Sequence, residues 1–510
     1  MKLFLKTLFT SLIVVFSAAL TVLAQSQSIT IGGNTYNIQV SESRQLTPEA
    51  VYTAYNISGF PLKIFAVKID CRAQNLQVQA WSGADYTLNT KETPLSVANR
   101  KNTETFQVLS AINGDFFGSA PCGAEIIKGE MSQNIVSTEF FIGGVDFTPY
   151  AGIDYEGKPI VDVFRFTPYV KKLNANGDSL FLKKTINSGI RNTDEFILFN
   201  NYLGYSETQT NEWGHECLIS PVSGNWTPDA NGYIRCKIEK LRKVTETQKM
   251  EILPGKAVLS GHGTSRTFLA DLQVGDEVLV SWGAKLVYHP EIRGIREAVA
   301  GGTMCLRNGV VQEYTVTDAA REKDRHPRTS FGVSEDRNYM WFVVIDGRDT
   351  GISIGVSTKE EADIMKFLGA HDAVNLDGGG SSCMVVNGAV KNKPSDGSPR
   401  LVINGLLLAK TLEENALPAY ENPVTAVYPN PAGGQVNFRV TADRDYNDLQ
   451  ITVYSTGGEA VKQVCSGVSL IKGETRTFTC NTGNLADGVY VYTMTGAGNR
   501  FAGKLILKRE

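Results

Sequence analysis

One stretch, Asn375-Leu376-Asp377-Gly378-Gly379-Gly380-Ser381-Ser382, constrains this chain more than any other. It lies between two apolar runs, Asp372-Ala373-Val374 and Met384-Val385-Val386, and reads as strand, glycine turn, strand. Three successive glycines pack nothing, and each costs backbone entropy on folding. A chain accepts that cost where the backbone must turn sharply or approach something closely. Successive N–H groups in such a turn can form a nest for an anion. An aspartate at the mouth and two hydroxyls behind it suit a charged or sugar-like ligand. A tight hairpin turn explains the same residues, and the stretch alone leaves both open.

The helix expected at Thr358–Leu368 ties this turn to a second segment. Thr358 and Glu361 have the spacing of a capping box. Ala362, Met365 and Leu368 form one apolar stripe, and Gly369 suits the C-terminal cap. Val343-Val344-Ile345-Asp346-Gly347-Arg348-Asp349 precedes the helix. In a strand–helix–strand unit, Asp346 and Asp377 come out at the same edge of the sheet. Asn387-Gly388 then signals a hairpin.

With 510 residues the chain should hold more than one folding unit. A net charge of −3 and the lack of a basic stripe give no case for nucleic acid. Lys2 and Lys6 precede an apolar stretch from Leu8 to Leu23, and Ala24 offers a small residue at a cleavage position. This reads as a cleavable signal peptide, too short and too diluted by hydroxyls for a span of about 20 residues. No transmembrane helix is expected in the mature chain. Export permits disulfides among the eight cysteines, but connectivity does not follow from sequence: Cys217 and Cys236 lie close together, as do Cys465 and Cys480, and the second pair are natural partners if their region is a separate domain; eight reduced core thiols are the alternative.

The expected organisation is a signal peptide at 1–24, a polar segment at 25–44, a catalytic domain at 45–412, a proline-containing linker at 413–424 and a small β unit at 425–510. The last shows five short strands: Val436–Val440, Leu449–Tyr454, Thr475–Cys480, Val489–Thr493 and Lys504–Leu507. The fold class is α+β: a mixed, strand-rich catalytic domain followed by an all-β sandwich.

A third segment, Arg325-His326-Pro327-Arg328-Thr329-Ser330-Phe331-Gly332, completes a pattern with Asp346-Gly347-Arg348 and the glycine turn. Together they resemble the phosphodiester glycosidase family, that of the lysosomal uncovering enzyme. Asn113-Gly114-Asp115, Asn187 to Arg191, Ser260-Gly261-His262-Gly263, Gly301-Gly302 and Asn392 to Gly397 with Arg400 extend the resemblance. It covers roughly residues 45 to 410, and Asp349 departs from it where Gln is expected. Separately, Val427-Tyr428-Pro429-Asn430-Pro431 and the ending Lys504 to Lys508 resemble a type A sorting domain of the type IX secretion system. That implies a secreted or cell-surface protein and the type IX machinery as a partner. A carbohydrate-binding sandwich is the alternative.

The first resemblance implies hydrolysis of a glycosyl-1-phosphodiester. Breaking the bond at C1 passes through an oxocarbenium-like state. The leaving phosphomonoester has a second pKa of about 6, so it departs without strong protonation. Anion stabilisation matters more than a general acid. Asp377 is expected to stabilise the cation or activate water, with Asp346 as second carboxylate and His326 as proton donor. Arg328 and Arg348 are expected on the phosphate, with Gly378, Gly379 and Gly380 as a backbone cradle. Thr329, Ser381, Ser382, Asn113, Asp115 and Arg191 are expected to bind substrate. The other histidines, 215, 262, 289 and 371, are scattered, so no metal cofactor is expected; a calcium ion held by aspartates stays open. P–O cleavage on the same scaffold, or glycan binding without turnover, are the competing functions.

Overall fold

The computed structural model describes residues 27–133, 148–173, 179–181, 184–187, 191–229, 231–292, 294–313, 322–411, 424–442, 445–455, 460–496 and 499–509. The signal segment at 1–24, Ser188 to Ile190 and nearly all of the 413–424 linker lie outside them.

The strand Tyr339–Ile345 shows why the main sheet forms. Its residues are apolar at every position, and its two faces feed different cores. Met340, Phe342 and Val344 point into one cluster, with Val67, Phe331 and Leu408. Trp341, Val343 and Ile345 point into the other, with Ile64, Ala362 and Met365. A strand buried on both faces reads as a continuous apolar run because each side chain has somewhere dry to go. Burying each large side chain contributes roughly 1.5–3 kcal/mol.

This strand is central in a nine-stranded sheet. On one side it pairs with Leu62–Asp70, and beyond that come Ala50–Ser58, Asn34–Thr47 and Gln27–Ile31. The described part of the segment expected to be polar, 25–44, thus falls in the sheet's two outer strands. On the other side lie Arg328–Val333, Asp372–Asn375, Thr303–Arg307 and Val310–Val311. Leu76–Ser82, Phe106–Asn113, Met384–Val386, Ala389–Val390 and Asn404–Thr411 make a five-stranded sheet. Six- and eight-stranded sheets fill the segment between residues 125 and 300.

The helix spans Thr358–Leu368 and ends at Gly369, which is left-handed (φ 101°). Its cap is one residue earlier than expected. Ser357 receives the Glu360 N–H, and the Glu360 carboxylate accepts the Ser357 N–H. The run Ser-Thr-Lys-Glu-Glu holds two overlapping matches to the capping box. Glu361 is instead buried and accepts from the Ser330 hydroxyl.

The glycine turn is not a hairpin. Asp372–Asn375 belongs to the nine-stranded sheet and Met384–Val386 to the five-stranded one, so the turn carries the chain between sheets. The hairpin at Asn387-Gly388 does form: Val386 faces Ala389, and both turn residues have positive φ (47° and 72°).

Residues from Val424 onward form seven strands in sheets of three and four around their own core. Val424–Tyr428 and Ala460–Leu470 add to the five expected. All eight cysteines are free thiols, against the expected bridges. Cys217 and Cys236 occupy adjacent strands, but Cys236 faces Pro221, four residues along from Cys217. At about 3.3 Å per residue that separation far exceeds the roughly 7 Å a disulfide can span. Cys465 and Cys480 belong to different sheets. Among the described residues no helix is long and apolar enough to cross a membrane.

Candidate active site

Sheet order builds the site. Arg328–Val333 runs antiparallel to both Tyr339–Ile345 and Asp372–Asn375, which are therefore parallel to each other. Asp346 and Asp377 follow their strands at the same edge, as expected, with Arg328 between them. Across this edge lie Thr303, then Asn375 and Asp377, then Arg328, then Arg348. A cleft of roughly 980 Å³, open to solvent, follows this line. Asp377, Gly378, Gly379, Gly380, His326, Arg328, Arg348 and Arg400 line it, with Phe116, Gly302, Thr303, Glu322, Thr358 and Asn375.

Asp377 is fixed from behind by the 113–115 segment. Its N–H donates to the Gly114 carbonyl (2.8 Å), and its own carbonyl accepts from Asn113 Nδ2 (2.6 Å). Asn113 Oδ1 accepts from the Thr329 hydroxyl (2.8 Å) and the Cys383 N–H (3.2 Å). Asn113 and Thr329 therefore brace the aspartate turn from below. Asp115 is fully buried beside them, with one carboxylate oxygen accepting from Gly123 N–H (2.7 Å) and the other unpaired. Burial, aided by the negative charges of Asp377 and Glu125, holds its carboxyl well above the usual range.

Three glycines are needed, but not as a full nest. Gly379 N–H is spent on the Pro327 carbonyl (2.8 Å), which leaves Gly378 and Gly380 as donors to a ligand. Gly379 has φ 62°, and a Cβ there would meet Arg348 Nη2 at 2.9 Å. A Cβ on Gly380 would lie 2.2 Å from Arg400 Nη2. The turn is bare because two guanidiniums lie against it.

The three arginines are held differently. Arg328 is buried, and its guanidinium donates to the Val356 and Asp324 carbonyls (3.0 Å each). Arg400 pairs with Asp396 (2.6 Å) and donates to the Ser381 hydroxyl (3.3 Å). Arg348 is exposed, contacts His326 Nδ1 at 3.5 Å and has no ion-pair partner among the described residues. It also has φ 63°, a region that non-glycine side chains occupy at a cost and that clusters at functional sites. His326 is clamped by paired backbone hydrogen bonds to Val356 (3.2 and 3.1 Å). Burial and then the charges of Arg328 and Arg348 lower its pKa, so the ring is neutral near pH 7.

Several expected residues stand elsewhere. Asp346 is not among the residues lining the cleft. Its buried carboxylate accepts from Asn392 Nδ2 (3.1 Å) and Lys393 N–H (3.2 and 3.0 Å), so it fastens the 392–393 loop. The Ser381 hydroxyl meets the site through Arg400, and Ser382 is buried behind it. Arg191 lies in a different cluster, against Ser260 (2.6 Å), Glu216 (3.6 Å) and Asn211 (2.8 Å). Desolvation drives that placement: a buried guanidinium needs a carboxylate and several acceptors. The unexpected charge at Asp349 is paired with Lys393 (2.9 Å). Sequence reasoning missed Glu322, Thr303, Asn375 and Phe116 as site residues, although Asn375 opens the glycine-turn stretch, Phe116 follows Asp115 and the Gly301-Gly302 pair adjoins Thr303. Among the described residues no group of three or more His, Cys, Asp or Glu is placed to hold a metal ion.

Residues 241–409 match the phosphodiester glycosidase family, and residues 426–508 match the secretion system C-terminal sorting domain. The first match contains every cleft-lining residue except Phe116. A stretch of 117 residues is 29% identical to the SPbeta prophage-derived uncharacterized protein YomE of Bacillus subtilis; it covers 23% of this chain and 18% of that protein. The chain thus spans less than a fifth of that relative's length. A hypothetical protein from Synechocystis superposes with a TM-score of 0.50 at 16% identity, covering 76% of this chain and 72% of that one, a likeness of fold alone. The catalytic domain of zebrafish N-acetylglucosamine-1-phosphodiester alpha-N-acetylglucosaminidase, auto-inhibited by its pro-peptide, gives 0.35 at 14% identity over 75% of this chain and 89% of that one.

Proposed function

We propose that this chain, which carries a phosphodiester glycosidase domain and a secretion sorting domain, is an exported hydrolase that cleaves the C1–O bond of a glycosyl-1-phosphodiester, with N-acetylglucosamine as the sugar type. The observation that carries this reading is one carboxylate, Asp377, set beside three guanidiniums along a bare glycine turn. The arginines suit a phosphate better than a neutral sugar, since planar guanidiniums pair with its oxygens in register. Exposed Arg348 needs only to shed water to bind it.

In the proposed reaction the phosphate rests on Arg328, Arg348 and Arg400, with Gly378 and Gly380 N–H groups beside it. The C1–O bond breaks with both electrons going to the phosphate oxygen. Asp377 stabilises the positive charge that develops on the sugar. His326 is neutral in the free protein and gains affinity for a proton only when the phosphate arrives. Export follows from the sorting domain, with a signal peptide at 1–24 and the type IX machinery as the route.

Asp377→Asn keeps the shape and removes the charge. It should lower kcat by ~10²–10³-fold, the scale of losing one electrostatic stabiliser, and leave substrate affinity within several-fold. Turnover that survives this change rejects the role of Asp377. A protein that binds glycan phosphodiesters but never turns them over supports the non-catalytic reading instead.

A further inference from the structure

We propose that Glu322 is the second carboxylate of this reaction, the base that takes the proton from the attacking water at the sugar end of the cleft. The proposal rests on the glycosidase reading above and assigns the role that Asp346 cannot fill.

The cleft is chemically divided. Arg328, Arg348, Arg400 and His326 lie at one end, along the glycine turn. At the other end the described residues that line the cleft are Phe116, Gly302, Thr303, Glu322, Thr358 and Asn375, none of them a cation. This half is built, not incidental. Thr303 and Asn375 are direct cross-strand partners, and Gly302 N–H donates to the Asn375 carbonyl (2.8 Å). A Cβ on Gly302 would lie 2.8 Å from the Phe116 ring, so the ring rests over a residue with no side chain. Such a ring offers an apolar face to a pyranose. Asn375 is 3% exposed, lines the cleft, and its Oδ1 has no hydrogen-bond partner. A buried acceptor left unpaired is costly, and a sugar hydroxyl or an acetamido N–H would satisfy it.

Glu322 completes this half. It is 2% exposed, yet it lines the cleft. The Thr303 hydroxyl donates to its Oε1 at 2.6 Å, and its carbonyl accepts from the Thr358 hydroxyl at 3.4 Å. The carboxylate is thus oriented by a residue that neighbours Asn375. The step balances without an added reactant. Water oxygen bonds to C1, the C1–O bond breaks, its electron pair leaves on the phosphate as the monoester dianion, and the water proton goes to Glu322.

The test uses Glu322→Gln and Glu322→Ala of the full chain with an N-acetylglucosamine-1-phospho-sugar diester. General-base loss is worth ~10²–10⁴-fold, so Glu322→Gln should lose at least 100-fold in kcat with KM within several-fold. Gln keeps an acceptor for Thr303, so the fold should hold. Azide attacks without a base. Added azide should therefore speed Glu322→Ala by about tenfold or more and yield a glycosyl azide, which a merely structural role would not produce. If wild-type protein turns over and Glu322→Gln stays within threefold of it, the role of Glu322 is overturned and the glycosidase reading stands. If Glu322→Gln is impaired but azide neither rescues Glu322→Ala nor appears in the product, Glu322 is structural and the proposal fails. If wild-type protein is inactive across a panel of glycosyl-1-phosphodiesters, the parent reading falls and this role with it.

Discussion

Gly380→Ala should damage catalysis while leaving the fold nearly untouched. The backbone at Gly380 is not in the left-handed region, so the added methyl meets only a packing problem. That methyl would lie 2.2 Å from Arg400 Nη2 and 2.3 Å from both carboxylate oxygens of Asp396, where ordinary contact starts at 3.4 Å. Arg400 must retreat by about 1.2 Å, the difference between 3.4 and 2.2 Å. These atoms are side-chain ends, and they can move. What is lost is the 2.6 Å pair with Asp396 and the 3.3 Å bond to Ser381, which set the guanidinium on the glycine turn. The Arg400 and Asp396 side chains are 41% and 38% exposed, so their pair is worth only ~0–1 kcal/mol to stability. The transition-state cost is larger. A displacement of about 1 Å in a positioning group costs ~100-fold, or roughly 2.7 kcal/mol. The expected result is kcat/KM down about 100-fold with Tm lowered by less than ~4 °C. Phosphomonoester release and calorimetry measure the two sides. Gly434→Ala, where a Cβ has nothing within 4 Å, is the control. Full activity with an unchanged Tm would refute the claim that Arg400 must lie on this turn.

Arg348→Lys should raise KM about tenfold or more, since a hydrogen bond to a charged group contributes ~1.5–3 kcal/mol and lysine cannot pair in a bidentate way; an unchanged KM and salt dependence would contradict phosphate contact there. Burial pushes Glu361 up to about 7 despite the nearby Arg328, and Glu297 likewise to about 7. The folded state therefore holds these protons above the pH at which the unfolded chain releases them. Each group's contribution is full at low pH and falls as pH rises from about 4.5 to about 7. Urea melts of Glu361→Gln should show a shallower fall over that window than wild-type protein, and parallel curves would count against it. Alkylation of the unreduced, denatured full-length chain should label all eight cysteines, and thiol reductants should leave Tm unchanged.

What the sequence made legible was local pattern. The Asn387-Gly388 hairpin, the helix ending at Gly369 and the shared sheet edge of Asp346 and Asp377 all follow from turn chemistry and periodicity. What it hid was direction. Asp346 and Asp377 both follow a strand and precede glycine, and nothing local says that one carboxylate turns toward Lys393 while the other lines the cleft. Arg191 depends on Glu216 and Ser260, partners distant in sequence and on other strands. Glu322 was invisible for a similar reason, because its role rests on a hydroxyl from Thr303 across the sheet edge. Ser357 and Thr358 offered overlapping caps; the helix uses Ser357 with Glu360, while Glu361 turns inward to the Ser330 hydroxyl.

The most direct test of the central claim is hydrolysis of an N-acetylglucosamine-1-phospho-sugar diester in ¹⁸O-labelled water, with mass spectrometry of both products. The glycosidase mechanism predicts label on the sugar at C1 and none in the phosphomonoester. Label on the phosphate would mean P–O attack and would contradict the glycosidase mechanism.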